Sequence, residues 1–256
     1  MVENRRQRLQ ALLAADRAAN PASVVSLTCG RCVVELSVTG AGATVLAEIP
    51  AGRGNGDGRQ SRGLVHATNT VSAGLEDLQL TVGEGPCLDA FATGGPVLVA
   101  DLAAEVARWP AFTPAACELG AAAVFSFPLQ VGVARLGSLD LYRDKVGPLT
   151  RVELADALIL TDLATQGVVD DLNGHSVEDV SWLADPHVQV HQAAGMVQVQ
   201  LNSNTEVALM RLRGYAFTHD VPLAEVAQQV VERSLRFTDN EDGNHAQRGR
   251  GPRDAH

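Results

Sequence analysis

The chain has 256 residues, with twenty basic and thirty acidic side chains that give a net charge of −10 and a pI near 5.1. This acidic balance argues against bulk, non-specific nucleic-acid binding, which needs a positive surface. The apolar, uncharged stretch from Leu119 to Ala134 contains glycine and proline and is shorter than the roughly 18 apolar residues of a membrane span. With no secretory signal at the N-terminus, we expect a cytoplasmic protein with no membrane partner.

The first third of the chain predicts two helices followed by a strand. Leu9, Leu12 and Leu13 stand at helical spacing within residues 4–18, and a second apolar helix is predicted from Ala22 to about Ser37. Residues 39–42 are predicted to form a turn and residues 43–49 a strand. The glycine-rich segment 50–63 predicts a flexible loop, because it has no large apolar side chain to anchor it and no GK[ST] phosphate-binding ending.

The middle of the chain predicts alternating strands and helices. Strands are expected at 64–68, 96–101, 121–129 and 136–142, and helices at 71–80 and from Trp109 to about Leu119. The Gly85-Pro86 pair predicts a turn with Pro86 at the first position of a helix. Thr150 and Glu153 have the spacing of a capping box, which predicts a helix from there to about Leu172.

The remainder predicts a small helical unit followed by a polar tail. Helices are expected over 182–201, from a second capping box at Ser203 and Glu206 to about His219, and from Pro222 through Leu235. Such a unit is too small to be very stable alone, which favours packing against the preceding helix or a second copy. The domain boundaries we predict are 1–172 for an α/β domain, 173–183 for a linker, 184–237 for the helical domain and 238–256 for a disordered tail.

The cysteines and histidines predict no metal site. Cys29 and Cys32 match half of a zinc site, but no second CxxC or CxxH follows, so small buried side chains are the favoured interpretation. His187 and His191 are four residues apart without a supporting Glu or Cys, as expected of surface histidines. No disulfide framework is expected without an export signal.

Several short motifs, in order, carry a resemblance to a known family. The stretch Leu78 to Cys87 (LQLTVGEGPC), with Arg108-Trp109-Pro110, Phe127-Pro128-Leu129 and the GSLDLY run at 137–142, resembles GAF sensory domains. The later segments resemble the ANTAR domain, namely Gln192 to Met196, Ala208, Leu212-Arg213, Ala216 and Leu223 to Ala227. Together they cover about residues 15–237, so the chain resembles GAF and ANTAR transcription antitermination regulators of the actinobacterial type.

This resemblance implies both an architecture and a function. A GAF domain is an α/β (α+β) sensor with a central antiparallel sheet, and an ANTAR domain is an all-α three-helix RNA-binding module. Regulators of this family bind paired hairpin loops of nascent messages as dimers and so prevent formation of the terminator. We therefore expect a non-enzymatic regulator, a homodimer that binds RNA and senses a small-molecule ligand of unknown identity, with no other cofactor.

The resemblance also implies which residues contact RNA. Arg213 falls on the family's arginine, and Arg211 lies nearby on the same helix; the competing interpretation for both is a solvated surface charge. For the small residues Ala193, Gly195 and Ala216, the alternative interpretation is close packing between helices. For His219, the alternative is a favourable interaction with the dipole at the C-terminus of its helix. The full predicted set is Gln192, Ala193, Gly195, Met196, Arg211, Arg213, Ala216 and His219.

The chain departs from the family pattern in its charge. Ala194 stands where the family commonly has lysine, and Asp220-Val221-Pro222 replaces an asparagine followed by basic residues. Residues 181–237 hold four basic and five acidic groups, a net charge of −1. Recognition would then depend on loop shape, stacking and a few arginines. A degenerate ANTAR domain that only dimerises is the alternative.

The predicted sensor pocket contains Cys87, Trp109 and Phe127. Cys87 follows Pro86 near a helix N-terminus, where a thiol can become reactive, although a buried packing role is the alternative. If the thiol is reactive, the competing function is a GAF-type reductase of methionine sulfoxide. Cys117, or Cys29 and Cys32, would then resolve the oxidised Cys87.

Overall fold

The computed structural model describes residues 2–20, 22–49, 59–174, 188–219, 221–238 and 247–248. The chain divides into two compact units, residues 1–185 and 186–256. None of the described helices combines the length and the apolar character that crossing a membrane requires.

The first unit is built around a five-stranded antiparallel sheet, as predicted. Its strands are β1 (Gly40–Ile49), β2 (Arg59–Ala67), β3 (Val97–Val99), β4 (Ala123–Val131) and β5 (Ala134–Arg143). They lie in the order β2-β1-β5-β4-β3, so the last long strand pairs with the first. Its helices are α1 (Val2–Ala19), α2 (Val24–Glu35), α3 (Thr70–Val82), α4 (Pro86–Thr93), α5 (Phe112–Glu118) and α6 (Arg151–Gly174), with a 3-10 turn at Leu102–Glu105.

One face of the sheet packs against α2 and α6, and α1 covers these two helices. Successive side chains of a strand point to opposite faces, and on this side they are apolar. Gly167 of α6 lets α2 approach, because a Cβ there would lie 2.7 Å from the Cβ of Val24. The buried core on this face includes Leu9, Val25, Cys29, Cys32, Val45, Phe125, Phe127, Leu139, Leu141, Leu160 and Val168.

The other face of the sheet packs against α3 and α4, and α5 packs on α3. Apolar residues from β3 and α5 close this layer, with Trp109, Phe112 and Leu102 fully or almost fully buried. The strand positions that point into it are more polar than those on the opposite face. Those positions include Thr44, Ser126, Ser138 and Asp140, all of which are buried.

Several local predictions are confirmed and others are wrong. Thr150 and Glu153 form the predicted capping box: the Thr150 N–H donates to Glu153 Oε2 (2.7 Å), and the Glu153 N–H donates to Thr150 Oγ1 (3.2 Å). The predicted turn at 39–42 is wrong beyond Thr39, because β1 begins at Gly40 and pairs with β5 from that residue. The predicted loop at 50–63 is wrong for residues 59–63, which pair with β1; residues 50–58 lie outside the described part.

The second unit contains three helices within its described residues: α7 (Val188–Gln200), α8 (Thr205–His219) and α9 (Leu223–Val231). The three pack on one another, and β6 (Leu235–Arg236) pairs with β7 (Gln247–Arg248). At the start of α8, Asn204 Oδ1 accepts a 2.8 Å hydrogen bond from the Val207 N–H. The capping box predicted at Ser203 and Glu206 stays a prediction, because the side chain of Glu206 lies outside the described part. Leu235 was expected in the third helix, but α9 ends at Val231 and Leu235 lies in β6.

Candidate functional site

The link between α3 and α4 positions the predicted sensor cysteine. Gly83 ends α3 in the left-handed conformation, and Pro86 begins α4, as the sequence predicted. Gly85 between them has φ = +140°, and a Cβ there would lie 2.6 Å from Gln79 Oε1. Only glycine suits both the backbone and this close approach. The loop therefore presses its backbone against the side chain of Gln79.

Gln79 uses that contact to fix the start of α4. Its Oε1 accepts a 2.8 Å hydrogen bond from the Cys87 N–H, which has no partner within its own helix because it lies in the first turn. Gln79 is 1% exposed and Cys87 is fully buried. A buried side-chain amide thus takes the role of a helix cap and sets the position of the Cys87 side chain.

A row of three residues across the sheet forms the floor of the same region. Gly42 of β1 and Ser126 of β4 both lie opposite Asp140 of β5, so the three share a sheet face. Gly42 leaves room for α3: a Cβ at this position would lie 3.2 Å from Oε1 of Glu76. The glycine thus admits a carboxylate from the helix above the sheet.

The polar side chains of this region are bonded to one another. The Thr44 hydroxyl donates to Glu76 Oε2 at 2.8 Å, and the Ser138 hydroxyl donates to Asp140 Oδ2 at 2.7 Å. Glu76 and Asp140 are only 5% and 6% exposed. Two carboxyl groups are therefore held in the interior by short hydrogen bonds from the strands, and removing such groups from water costs free energy.

These residues bring three chemically distinct groups together. One ligand atom each from Glu76, Cys87 and Asp140 lies within 4.8 Å of the other two. A narrow cavity adjoins them and admits little more than a water molecule. Besides the two carboxylates, its lining includes Ser72, Gln79 and Tyr142. We take this buried polar cluster, Glu76, Gln79, Cys87 and Asp140 with their strand partners Thr44, Ser126 and Ser138, as the candidate site of the first unit.

The segment around Trp109 and Phe112 packs beside the site. Oε1 of Glu84, in the loop before α4, accepts the N–H groups of Ala111 (2.6 Å) and Phe112 (2.9 Å) at the start of α5. Trp109 packs edge-on against Phe112 with ring centroids 6.2 Å apart. The Arg108 guanidinium lies 4.3 Å from the centre of the Trp109 ring, and it also forms a 2.8 Å ion pair with Asp89 of α4.

The structure brings two of the three predicted pocket residues to one side of the sheet. Cys87 and Trp109 both lie on the side covered by α3, α4 and α5. Phe127 lies on the opposite face, in the core formed with α2 and α6. It pairs with Leu139, which has the same orientation. Phe127 is therefore a packing residue, and its assignment to the pocket is wrong, because the sheet itself separates it from Cys87.

The four cysteines are free thiols, and three of them are fully buried. Burial raises the pKa of Cys29 well above its ordinary value, with smaller contributions from Cys32, Glu76 and Asp140. Burial likewise raises the pKa of Cys32 strongly. Both thiols lie in the apolar core that α2 forms with the sheet, across the sheet from Cys87. This agrees with the packing interpretation of the CxxC pair.

The residues predicted to contact RNA differ in how exposed their side chains are. Gln192, Arg211 and His219 are exposed, while Gly195, Met196 and Arg213 are half-buried. Ala193 and Ala216 are 0% and 1% exposed. The burial of those two alanines favours the helix-packing alternative, and their part in RNA contact stays a prediction. Ala194, at the position that the family commonly fills with lysine, is also buried.

The outward side of α8 carries an aromatic surface that the sequence analysis missed. Phe217 is 71% exposed and Met210 is 64% exposed, and Gly214 lies between them on the same side of the helix. One turn away, the rings of Tyr215 and His219 stack with centroids 3.9 Å apart, and the His219 Nδ1 lies 2.9 Å from the Tyr215 carbonyl oxygen. In the sequence, this surface is indicated by Phe217 standing next to the polar residues Thr218 and His219 at the end of the helix.

Glu76, Gln79 and Asp140 were also not singled out as site residues. The sequence does indicate that Asp140 shares a strand face with another polar residue, because Ser138 and Asp140 alternate with Leu139 and Leu141 in β5. Such alternation is normally interpreted as a strand with one face in solvent. Here helices cover that polar face. Alternation reveals which residues share a face, but it cannot reveal what lies over the face.

The fold and the site together define the class of the first unit: an α+β domain with a central antiparallel sheet and a buried polar site under three helices. No protein-family model matches the sequence, and no curated protein matches it significantly.

Solved structures that the chain resembles include several GAF domains. One is the GAF domain of a phosphoenolpyruvate-protein phosphotransferase from Coxiella burnetii, at 17% identity and a TM-score of 0.46, covering 66% of this chain and 95% of that one. Another is the GAF-B domain of DevS from Mycobacterium smegmatis, at 15% identity and a TM-score of 0.38, covering 61% of this chain and 100% of that one. The chain is also similar to the structure of free methionine-R-sulfoxide reductase from Neisseria meningitidis in complex with its substrate, at 16% identity and a TM-score of 0.39, covering 64% of this chain and 87% of that one.

Proposed function

We propose that the protein is a cytoplasmic, non-enzymatic regulator in which a GAF-type sensor controls an ANTAR-type RNA-binding module. The sensor is the first unit, and its ligand occupies the buried polar cluster. The RNA-binding module is the helical second unit, acting as a homodimer on hairpin loops of nascent messages to promote transcription antitermination. The proposal is based on the sequence motifs and on the surface chemistry of α8.

The observation that carries the RNA-binding part is the exposure of Phe217. An aromatic ring that is 71% exposed gains nothing from burial within the fold, whereas an unpaired loop base can stack on it. Phe217 follows Arg213 by four residues and Gly214 by three, so these three positions are neighbours on the helix surface. Arg211 is exposed six residues before Phe217, on a different face of α8 from Arg213, and suits a phosphate.

This chemistry also fits the charge of the second unit. Residues 181–237 hold four arginines and five acidic groups, so their net charge does not attract the phosphates of RNA. Base stacking is worth about 1–3 kcal/mol per base and depends little on net charge. Single-stranded loops expose stackable bases, whereas double-stranded RNA does not. A hairpin loop is therefore the nucleic acid that this surface suits best.

The test is a fluorescence anisotropy titration of the full chain against a tandem hexaloop hairpin RNA at fixed salt. The Phe217→Ala variant should weaken binding about tenfold, as loss of one stacked base implies. The Arg211→Ala variant should reduce the salt dependence by about one unit of slope. Val199→Ala removes an 82% exposed apolar side chain from α7 and serves as the matched control, with unchanged affinity expected.

A fully paired duplex of similar length is the second control and should bind weakly. The dimer is measured on the same samples by light scattering. If folded dimers at micromolar concentration do not shift the hairpin RNA, the RNA-binding role is wrong. The helical unit would then act only in dimerisation.

A further inference from the structure

The buried polar cluster contains a set of groups suited to one metal ion. Glu76 comes from α3, Cys87 from the first turn of α4, and Asp140 from β5, so three separate elements converge on one point. Their ligand atoms lie within 4.8 Å of one another, and each residue is at most 6% exposed. The three are widely separated in sequence, so no spacing motif could have indicated them.

The chemistry of the three groups favours a particular class of ion. Two carboxylates and a thiol that are buried together carry a high cost if they ionise without a cation. A hard ion such as Mg²⁺ or Ca²⁺ prefers oxygen ligands alone. A thiolate beside carboxylates suits a divalent transition metal, above all Zn²⁺, which accepts sulfur and oxygen in a four-coordinate site.

A second feature, independent of these three groups, points to the same place. The Ser126 hydroxyl is fully buried and has no hydrogen-bond partner among the described residues. Ser126 lies directly opposite Asp140 and on the same sheet face, where facing Cβ atoms are about 5 Å apart. A buried hydroxyl left without a partner is rare and commonly indicates a water molecule or an ion. The narrow cavity that Glu76 and Asp140 line has space for one such particle.

We propose that Glu76, Cys87 and Asp140 bind a single divalent transition-metal ion, with the Ser126 hydroxyl or a water molecule beside it as the fourth group. This inference rests on the proposed sensor function and deepens it, because it names a metal ion as the ligand of the first unit. Zinc–ligand bonds of about 2.0–2.3 Å put two ligands of one ion roughly 3–4 Å apart. Because the three ligand atoms lie up to 4.8 Å apart, binding draws them together by at most about an ångström.

The experiment uses the full chain, freed of metal with a chelator and then titrated with Zn²⁺ by calorimetry. One equivalent should bind. Titration with Co²⁺ should add a near-ultraviolet absorption band from thiolate-to-metal charge transfer. The Glu76→Gln and Asp140→Asn variants keep the shape of the side chains, and each should lower the affinity at least tenfold. Cys87→Ser should remove the charge-transfer band.

Cys117→Ser is the matched control, because Cys117 belongs to α5 and is outside the metal-binding set. It should bind both ions like the unaltered chain. Far-UV circular dichroism checks that every variant is folded. If Glu76→Gln or Asp140→Asn is unfolded, the other of these two variants is used in its place. The metal site is wrong if no stoichiometric uptake occurs, if the band survives Cys87→Ser, or if Glu76→Gln and Asp140→Asn both bind normally.

RNA binding is measured separately on the metal-free and metal-loaded chain. Metal uptake in the absence of RNA binding would leave the metal site standing and contradict the RNA-binding role. RNA binding in the absence of metal uptake would support the RNA-binding role and contradict the metal site. The two proposals can therefore fail independently.

Discussion

The hydroxyl of Thr44 in β1 donates a 2.8 Å hydrogen bond to Oε2 of Glu76 in α3, and this bond joins the sheet to the helix at the buried polar cluster. Thr44→Val keeps the shape of the side chain but removes the donor to a buried carboxyl group. We expect a loss of about 1–3 kcal/mol in the free energy of unfolding, measured by urea denaturation. Thr161→Val is the control, because that hydroxyl bonds only to the Ala157 carbonyl within α6. Equal losses in both variants would contradict a special role for the Thr44 bond.

The Gly85 position should not tolerate a side chain. Gly85→Ala forces φ = +140° on a residue with a Cβ and places that Cβ 2.6 Å from Gln79 Oε1, which holds the Cys87 N–H. The strain and the disturbed bond should cost roughly 2–4 kcal/mol. Gly30→Ala is the matched control, since Gly30 lies in α2 with open space around it. It should stabilise the chain by up to about 1 kcal/mol. Calorimetric melting of the two variants should therefore shift in opposite directions.

The Arg143–Glu153 pair should make stability depend on pH in a defined range. Burial alone raises the pKa of Glu153, but hydrogen bonds from Thr150 and the charge of Arg143, 2.8 Å away, lower it below its ordinary value. A carboxylate whose pKa is lowered by folding stabilises the native state above its unfolded pKa of about 4.3, and the contribution is lost as the pH falls.

Glu153→Gln should therefore reduce stability by about 1–2 kcal/mol at pH 7. The difference from the unaltered chain should shrink towards zero below roughly pH 4. Thermal melts from pH 3 to 8 measure this difference. Glu118→Gln, on an exposed residue of α5, is the control and should have little effect at any pH. A pH-independent difference for Glu153→Gln would show that the charge does not matter.

Thiol reactivity should separate the cysteines. Cys29, Cys32 and Cys87 are fully buried, and Cys117 is partly exposed. Titration of the native chain with 5,5′-dithiobis(2-nitrobenzoic acid) should therefore modify Cys117 alone. Its reaction should be slow, because partial burial and the nearby Asp101 raise the pKa of that thiol. In denaturant all four should react.

The Cys117→Ser variant should abolish the native reaction. Rapid modification of Cys87 in the native chain, together with turnover of free methionine sulfoxide, would favour the reductase hypothesis. Protection of Cys87 combined with no turnover would favour a site that binds without catalysing. The reductase hypothesis stays a prediction until this measurement.

Local features of the sequence predicted local features of the fold well. Pro86 begins α4 and Thr150 with Glu153 caps α6, because both depend on the backbone needs of a helix end, which neighbouring residues satisfy. The errors arose where partners are distant. Gly40 and Gly42 suggested a turn, yet they lie in β1, where Gly42 leaves space for Glu76 of α3.

Periodicities of two and 3.6 residues in the sequence predicted most of the helices and strands of the first unit, and the antiparallel arrangement of the sheet was implied by the family resemblance. Only the tertiary structure decided that the polar face of β5 is covered by helices, which turns Asp140 from a solvent-facing residue into part of a buried cluster. It also placed Phe127 across the sheet from Cys87. Periodicity specifies which residues share a face, whereas the residues that meet across that face are set by packing between elements far apart in the chain.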